Sequence, residues 1–240
     1  MKITILIFCF NEKATIASAI EQAKQLTIDK EIIVIDNCST DGTREILKTY
    51  ALDRALKIII HGENLGAGYS VREGISLAQG EYFYAPGADL EYKMADVYKM
   101  VEKVENEKLD GVFGSRLLGR NDISMFQLIN ERPYWLGTII ATSLINLFYG
   151  RKFTDVIATK LIKTDVLRGL GCEITNEASE FELVSRLCKK GYNIGEVPVW
   201  YKARTHKEGK TIRAIHMVPA LWVIFRIKFL VKGTKFRHRI

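Results

Sequence analysis

Residues 33–43 read Ile33-Val34-Ile35-Asp36-Asn37-Cys38-Ser39-Thr40-Asp41-Gly42-Thr43, an apolar run that ends abruptly in polar residues. The apolar part belongs to a predicted strand at Glu31–Ile35, because continuous β-branched runs are typical of strands covered on both faces. The polar part predicts a turn and then a helix at Asp41–Tyr50, whose first turn Ser39, Thr40 or Asp41 could cap. A strand, a short turn and a helix are the repeating unit of an α/β protein.

The same unit recurs along the first half of the chain. Further strands are predicted at Ile3–Phe8, Lys57–Ile60, Glu81–Ala85 and Gly111–Gly114, and helices at Glu12–Leu26, Tyr69–Gln79 and Ala95–Asn106. The second half is less regular, with helices predicted at Tyr134–Tyr149 and Ser179–Lys190 and strands at Ala158–Lys163 and Asn193–Tyr201. The βαβα order predicts an α/β fold with a mainly parallel central sheet flanked by helices.

Ligands of such sheets bind at the carboxyl ends of the strands. Three polar segments follow predicted strands there: Cys9–Glu12, Asp36–Gly42 and Gly87–Glu91. We expect them to meet in one cleft. The turn after the first strand lacks the Gly-x-Gly-x-x-Gly pattern of dinucleotide-binding folds, and the sequence contains no Gly-x-x-x-x-Gly-Lys-Ser/Thr P-loop. The cleft is therefore not predicted to be that of a dehydrogenase or a P-loop nucleotidase.

The segment Gly87–Glu91 carries two carboxylates one residue apart, Asp89 and Glu91. On an extended segment such residues point the same way, so both could bind one divalent cation, and the cation could carry a diphosphate. The alternative is an ordinary polar loop at the end of a strand.

Composition excludes several classes of protein. Hydrophobic residues make up 48% of the 240 residues, which is enough for a packed core. The four cysteines form no Cys-x-x-Cys pair, which predicts reduced thiols and neither disulfides nor a zinc site. The longest apolar stretch without charge, Trp135–Tyr149, is shorter than the ~20 residues that span a bilayer, and the amino terminus reads as a strand. We therefore expect a cytoplasmic chain.

The net charge of +7 is unevenly distributed along the chain. Eight Lys or Arg residues and no acidic residue lie between Gly209 and Ile240, which leaves the first 208 residues with a formal charge of −1. The basic character thus belongs to the carboxyl-terminal tail. Nucleic-acid binding is not expected, because the pattern lacks aromatic residues interleaved on a basic sheet face.

Several segments, in order, resemble one known family. They are Phe10-Asn11-Glu12, Ile33 to Thr43, Asn64-Leu65-Gly66-Ala67-Gly68, Gly87 to Glu91, Gly114-Ser115-Arg116, and Glu196 to Tyr201 followed by Arg204 to Lys210. The set resembles family 2 glycosyltransferases of the GT-A fold, a Rossmann-like nucleotide-sugar-binding fold, and particularly the dolichyl-phosphate mannose synthase-like branch. The resemblance implies an inverting enzyme that moves a hexose from a nucleoside diphosphate sugar to a polyprenyl phosphate or a glycan hydroxyl, in cell-envelope polysaccharide or glycolipid synthesis.

The resemblance also implies roles for individual residues on the donor side. The donor-binding residues would be Asn11, Glu12, Asp36, Arg204 and Lys210. Asp36 would contact the base or ribose, although it could instead be a turn residue before a helix. Glu12 could equally be a favourable acid in a first helical turn. The basic loop with Arg204 and Lys210 would close over the donor phosphates, and its alternative is a solvated basic loop.

The metal site departs from the family pattern at one position. Relatives carry Asp-x-Asp where this chain has Gly87-Ala88-Asp89. Asp89 and Glu91 could still hold Mg²⁺ or Mn²⁺, because Mg²⁺ often takes only one or two protein carboxylates. Asp89 is accordingly a candidate both for metal binding and for catalysis.

On the acceptor side, the resemblance assigns Arg116 and Arg132 to an acceptor phosphate, which the planar guanidinium binds well. Either arginine could instead belong to a surface ion pair. A phosphate acceptor is already ionised and needs no general base, whereas a hydroxyl acceptor needs one. Glu180 and Glu182 are the candidate bases, and surface carboxylates are the alternative.

We expect two units: a glycosyltransferase domain at residues 1–213 and an amphipathic basic helix and tail at residues 214–240. Met217–Val231 is rich in bulky apolar residues and precedes Lys232, Lys235, Arg237 and Arg239. This pattern favours peripheral binding to the cytoplasmic face of an anionic membrane, and a core helix with a solvated tail is the alternative. A second functional hypothesis, motivated by Gly87, is a catalytically silent module that binds a nucleotide or a partner glycosyltransferase.

Overall fold

The computed structural model describes residues 1–119, 135–176, 178–204 and 217–231. Its strands form one seven-stranded sheet. They are β1 (Ile3–Cys9), β2 (Lys30–Asp36), β3 (Leu56–Ile60), β4 (Tyr82–Tyr84), β5 (Gly111–Ser115), β6 (Lys160–Lys163) and β7 (Ile194–Pro198).

The helices alternate with these strands. They are α1 (Ile16–Gln25), α2 (Thr43–Thr49), α3 (Ala67–Leu77), α4 (Val97–Glu107), α5 (Trp135–Tyr149), α6 (Thr164–Arg168), α7 (Ser179–Lys189) and α8 (Met217–Phe229), with a short 3₁₀ helix at Met94–Asp96 before α4. The expected α/β alternation is confirmed. Helix α6 and the 3₁₀ turn were not anticipated.

The strand order is β3-β2-β1-β4-β6-β5-β7. Strands β1 to β4 are parallel, and β6 runs antiparallel to its neighbours β4 and β5. From β1 the chain first builds outward through β2 and β3, and it then returns to place β4 on the other side of β1. Such a reversal opens a crevice outside the carboxyl ends of β1 and β4, which is where open α/β sheets bind ligands.

Side chains alternate along the strands into two cores, one on each face of the sheet. Leu6, Ile33, Phe83, Phe113 and Ile162 face one core, whereas Ile5, Val34, Tyr84, Val112 and Leu161 face the other. Helices α3, α5, α6, α7 and α8 cover the first core. Helices α1, α2 and α4 cover the second. Burial on both faces explains why the strands read as continuous apolar runs.

Helix α8 packs into the first core along one side. Ala220, Val223, Ile224 and Ile227 are buried there. The amino group of Lys189, at the end of α7, donates hydrogen bonds to the carbonyls of Lys228 and Val231 and so fixes the end of α8. The boundary expected between residues 213 and 214 lies outside the described residues. Among those described, the chain has no helix with the length and apolar character that crossing a bilayer requires.

One close backbone approach supports the β1–β4 pairing. At Gly80, which precedes β4, an added Cβ would lie 2.4 Å from the backbone nitrogen of Thr4 and 2.7 Å from the carbonyl carbon of Ile3. The backbone N–H of Gly80 donates to the hydroxyl of Thr4. Only glycine lets the chain pass this close to β1.

We predict that Gly80→Ala lowers the free energy of unfolding by about 1–3 kcal/mol, because the new methyl group displaces the backbone of β1. Urea unfolding followed by circular dichroism measures the change. Gly62→Ala is the matched control, since an added Cβ there meets nothing within 4 Å. Equal stability of the two variants would contradict the close approach.

Candidate functional site

The residues that follow β1, β2 and β4 meet at the crevice, where the strand order reverses. The backbone takes left-handed conformations there at Asn11 (φ 57°), Cys38 (φ 68°) and Leu90 (φ 56°). Such conformations are costly for residues other than glycine and cluster at functional sites. The expected convergence of the three polar segments is confirmed.

Side chains tie the loop after β1 to the loop after β2. The backbone N–H of Asn11 donates to Ser39 Oγ at 2.8 Å, and the Asn11 side-chain oxygen accepts the N–H of Thr40 at 2.8 Å. The N–H of Glu12 donates to Thr43 Oγ1 at 2.9 Å. Asn11 and Glu12 are therefore held at fixed positions beside the crevice.

Asp36 lies at the end of β2 and is completely buried. Its carboxylate accepts the N–H of Ser39 at 3.1 Å and the Nε–H of Arg44 at 2.9 Å. These contacts shape the loop after β2. The predicted contact of Asp36 with a base or ribose stays a prediction.

The first turn of α2 is capped differently from the expectation of Ser39, Thr40 or Asp41. Gly42 occupies the cap position, although the side chain of Asp41 accepts the N–H of Thr43, the first residue of α2, at 3.0 Å.

Arg204 binds the acidic residues of the crevice together. Its Nη1 and Nη2 donate to the two carboxylate oxygens of Glu12, both at 2.9 Å. Nη2 also lies 3.7 Å from Oδ2 of Asp89, and the backbone N–H of Arg204 donates to Oε1 of Glu91 at 2.8 Å. Four of the predicted site residues thus meet: the guanidinium of Arg204 contacts Glu12 and Asp89, and its backbone N–H contacts Glu91.

This cluster fits a divalent cation. Burial raises the pKa of Asp89 to about 6, with the neighbouring charges of Glu91 and Glu12 raising it and Arg204 lowering it. The side chain remains 31% exposed. Within the described part of the chain these three carboxylates share one arginine, so a hard cation on Asp89 and Glu91 would relieve their repulsion. No group of three or more His, Cys, Asp or Glu ligands occurs in the described part of the chain, so such a cation would need further ligands from substrate and water.

Gly87 has a left-handed backbone, with φ at +78°. An added Cβ there would have room, because its nearest neighbours are Phe8 Cζ at 3.8 Å and Asp89 Oδ1 at 3.9 Å. Backbone strain, and not space, therefore disfavours a carboxylate at this position.

The chain after β7 crosses the front of the crevice. Tyr201 pairs with Tyr92 in an isolated antiparallel bridge, and their rings lie 5.1 Å apart. The N–H of Lys202 donates to the carbonyl of Glu91 at 2.9 Å. These contacts carry Arg204 to the acidic cluster. Lys210 lies outside the described residues.

Arg116, which directly follows β5, forms a buried ion pair with Asp155. Its Nε and Nη2 donate to the two oxygens of Asp155 at 2.6 and 3.0 Å. The guanidinium also lies over the rings of Trp135 and Tyr201, 4.4 and 4.9 Å from their centres. Burial alone would raise the pKa of Asp155, but Arg116 holds it below its ordinary value. Two N–H donors of Arg116, which was predicted to hold an acceptor phosphate, are therefore occupied by Asp155. Arg132, the other arginine predicted for this role, lies outside the described residues.

Glu180 and Glu182 have different surroundings on the first turn of α7. Glu182 is 4% exposed, and its carboxylate accepts the N–H groups of Glu173 and Ile174 and a hydrogen bond from Arg186. This residue fixes the loop before α7. Glu180 is 43% exposed and lies 2.6 Å from the amino group of Lys160.

Lys160 is the residue that places Glu180 at the crevice edge. It begins β6, whose next residue, Leu161, pairs with Tyr84 at the carboxyl end of β4. The lysine is 7% exposed, and its amino group also donates to the carbonyl of Ala158. Sequence reasoning missed it, although a lysine within an apolar strand pattern signals a buried charge that needs a partner.

A second group of residues that sequence reasoning missed lies behind the crevice. The side-chain oxygen of Asn37 accepts the N–H of Leu65 at 2.9 Å, and its amide donates to Asn64 at 2.8 Å. His61 contacts Asn37 through Nδ1 and Glu73 through Nε2, at 3.2 and 2.6 Å. This network fixes the Asn64–Gly68 loop against the ends of β2 and β3.

Residues 4–169 match the model of the protein family Glycosyl transferase family 2. The chain belongs to glycosyl transferase family 2. The matched residues include β1, β4 and the acidic segment between β4 and α4. The assignment to the dolichyl-phosphate mannose synthase-like branch stays a prediction.

Relatives of this family 2 chain differ in length from it. The low-salt glycan biosynthesis hexosyltransferase Agl6 of Haloferax volcanii is 25% identical over 206 residues, which are 84% of this chain and 48% of that protein. The cholesterol galactosyltransferase of Borreliella burgdorferi is 37% identical over 111 residues, which are 45% of this chain and 31% of that protein. The chain thus spans about half of the first protein and about a third of the second.

A solved structure has the same fold. Glucosyl-3-phosphoglycerate synthase from Mycobacterium tuberculosis, in complex with Mn²⁺, UDP-glucose and phosphoglyceric acid, aligns with a TM-score of 0.69 at 16% identity. The alignment covers 97% of this chain and 81% of that one. The expected GT-A fold is confirmed.

The buried Arg116–Asp155 pair generates a stability prediction for the family 2 fold. Asp155→Ala leaves the guanidinium buried without its counter-ion, so we expect a loss of about 3–5 kcal/mol in the free energy of unfolding. Urea unfolding measures it. Glu107→Ala, which breaks the exposed Lys103–Glu107 pair, is the control and should change little. A similar small loss in both variants would show that Asp155 does not compensate a buried charge.

Proposed function

We propose that the chain is an inverting glycosyltransferase that moves a hexose from a nucleoside diphosphate sugar to an acceptor. The observation that carries the proposal is the meeting of Glu12, Asp89, Glu91 and Arg204 at the reversal of the sheet. A charged cluster at the carboxyl ends of β1 and β4 is suited to a ligand with a charged diphosphate. An ordinary polar loop does not require a guanidinium shared between two carboxylates, with a third on the backbone N–H of the same arginine.

The reaction breaks the bond between the sugar and the diphosphate, and negative charge grows on the leaving group. Arg204 is already oriented at the crevice, so its guanidinium can donate hydrogen bonds to that group without large rearrangement. To do so it must exchange its contacts with Glu12 for contacts with phosphate oxygens. Asp89 and Glu91 would hold a Mg²⁺ or Mn²⁺ ion, which when bound neutralises charge on the diphosphate.

Similar proteins support the donor side of this proposal. Agl6 is described as a hexosyltransferase, the Borreliella protein as a galactosyltransferase, and the solved synthase binds UDP-glucose with Mn²⁺. The donor of this chain is proposed to be of the same class, a nucleoside diphosphate hexose. We also propose a role in making a glycan or glycolipid of the cell envelope.

Two acceptor classes remain in the proposal, a polyprenyl phosphate and a hydroxyl. Two N–H groups of Arg116 donate to Asp155. This argues against a phosphate bound by the guanidinium of Arg116. Glu180 at the crevice edge offers the general base that a hydroxyl needs. The hydroxyl is therefore the better supported acceptor.

We further propose that the protein binds the membrane surface through α8. The face of α8 away from the core exposes Trp222 (56%), Phe225 (43%) and Phe229 (55%), whose rings contact one another. Arg226 and Lys228 lie in its last turn, and the sequence beyond is basic. An aromatic face bordered by basic residues suits an anionic bilayer, and the opposite face packs into the core.

A catalytically silent nucleotide-binding module is the second candidate. It is favoured by one observation, the glycine at position 87, where its left-handed backbone disfavours the first carboxylate of the metal-binding pattern. The two candidates differ in turnover and not in donor binding.

The central prediction concerns Asp89. Thermal-shift titration of the purified chain with UDP-, GDP-, dTDP- and CDP-hexoses, with and without Mn²⁺, should identify one donor class that stabilises the fold. With that donor, Asp89→Ala should lower the rate of donor hydrolysis or transfer by about 10²–10³-fold, because charge on the leaving diphosphate is less well stabilised.

The control for this prediction is Asp29→Ala, an exposed aspartate before β2 at the opposite edge of the sheet, which should keep wild-type activity. Donor binding without turnover by the wild-type protein would favour the silent module. No stabilisation by any nucleotide sugar would overturn both candidates.

The membrane prediction is tested by flotation with phosphatidylglycerol vesicles. The wild-type protein should float with the vesicles, and Phe225→Ser combined with Leu230→Ser should weaken binding by about tenfold, because apolar contact with the bilayer is lost. Leu52→Ser is the control, since Leu52 is 95% exposed and follows α2, on the other face of the sheet. A wild-type protein that stays in the soluble fraction would rule out this surface.

A further inference from the structure

A cavity of about 260 Å³ lies between α3, α6 and α7, outside the acidic cluster. Its walls are mainly apolar, and they include Val71, Ile75, Leu167, Ile174 and Leu183. Val71 and Ile75 are four residues apart on α3, so they share one face of that helix. Nothing in the donor mechanism uses this cavity.

Two arginines tie elements of the cavity wall to one another. Arg72 on α3 donates from Nη1 to the carbonyls of Glu173 and Ile174, at 2.6 and 3.1 Å. Arg168 on α6 donates from Nη2 to the carbonyl of Ala78 at 2.5 Å, just beyond the end of α3. Since the buried Glu182 also fixes the Glu173–Ile174 segment, the cavity is built into the fold and does not need a ligand to form.

The wall of the cavity includes Glu180, the candidate general base. Among the described residues Glu180 is the acidic group that lines the cavity. The same carboxylate lies 2.6 Å from Lys160, whose strand begins beside the carboxyl end of β4. Glu180 therefore borders both the apolar cavity and the edge of the sheet where the donor is proposed to bind.

We propose that this cavity binds the apolar part of an acceptor alcohol, with the hydroxyl of that alcohol at Glu180. The inference rests on the proposed transferase function and names its acceptor class. In the transfer step the alcohol oxygen forms a bond to the anomeric carbon of the sugar as the bond to the diphosphate breaks, and Glu180 takes the hydroxyl proton. The products are the glycosylated alcohol and the nucleoside diphosphate.

Arg72 and Arg168 also line the cavity, but their guanidinium groups donate to backbone carbonyls in its walls. At Glu180 itself, a hydroxyl can donate a hydrogen bond to the carboxylate, whereas a phosphate dianion would be repelled by it. The surroundings of Glu180 therefore favour an alcohol over a lipid phosphate. An apolar cavity of about 150 Å³ holds one benzene ring. By that comparison, the cavity of about 260 Å³ takes an apolar chain or ring system of roughly nine or ten carbon atoms.

The first test uses a series of linear primary alcohols from ethanol to dodecanol with the wild-type protein. Binding is measured by ligand-observed saturation-transfer NMR, and n-octyl phosphate is the comparison ligand. Affinity should rise with each methylene group up to about nine carbons and then level off, because further groups lie outside the cavity. Octyl phosphate should bind at least tenfold more weakly than octanol. Affinity that does not depend on chain length, or that favours the phosphate, would overturn the proposal.

The second test fills the cavity from opposite walls. Val71→Phe and Leu183→Phe should each weaken octanol binding by tenfold or more, and either variant suffices if the other fails to fold. Leu52→Phe, the same chemical change as Leu183→Phe on an exposed turn, should bind octanol as the wild type does. Unchanged binding in a folded cavity variant would show that octanol lies elsewhere.

Transfer to octanol is then measured with the donor found by thermal shift. Glu180→Gln should retain octanol binding but lose at least tenfold in kcat for transfer, with little change in KM for the alcohol. A wild-type protein that hydrolyses the donor but does not bind octanol would overturn this inference and leave the transferase proposal standing. A protein that binds octanol but no nucleotide sugar would instead overturn the transferase proposal and, with it, the acceptor role of the cavity.

Discussion

The guanidinium of Arg204 is the interaction on which the candidate site depends. It joins Glu12, which follows β1, to Asp89, which follows β4, while its own backbone N–H donates to Glu91. These three carboxylates repel one another; for scale, two like unit charges 4 Å apart repel by about 4 kcal/mol at an effective dielectric near 20. Arg204 offsets that repulsion only in part, because burial and the acidic neighbours still raise the pKa of Asp89 to about 6. Among the described residues the cluster thus has more negative than positive charge, a condition that a divalent cation would relieve.

Two bidentate arginine–carboxylate pairs in the described part of the chain serve different purposes. Arg116 and Asp155 are almost completely buried, so separating them would leave a charge in an apolar interior at a cost of about 3–5 kcal/mol. Arg204 is 22% exposed and Glu12 13%, so water can replace part of each contact. Only the second pair can exchange its partner for a substrate at a tolerable cost. Burial therefore separates an arginine that holds the fold from one that can act on a ligand, although both have the same side chain and a carboxylate partner.

The fold could be predicted from the sequence because it depends on local patterns. The run at Ile33–Ile35 and the polar turn after it indicate a buried strand and a sheet edge, and the convergence of the three turns follows from parallel strands.

The partners of charged residues could not be predicted in the same way. Asp155 lies 39 residues from Arg116 in the sequence, and Glu196 accepts hydrogen bonds from the segment that orients Asp155. Such pairings depend on how β5, β7 and the chain before β6 meet. The two glutamates on α7 were indistinguishable in sequence, yet the turn of the helix buries Glu182 and leaves Glu180 at the crevice edge.

Gly87 shows how backbone conformation bears on the metal site. A carboxylate at this position would not be excluded by space, since its Cβ would make ordinary contacts at 3.8 Å or more. The left-handed backbone would instead cost roughly 1–2 kcal/mol for a residue with a side chain, with aspartate at the lower end because its side chain can bond locally. A cation bound by an extra carboxylate could offset a cost of that size. The glycine therefore does not by itself prevent metal binding; it leaves Asp89 and Glu91 as the protein ligands and makes the diphosphate of the donor a larger part of the coordination shell.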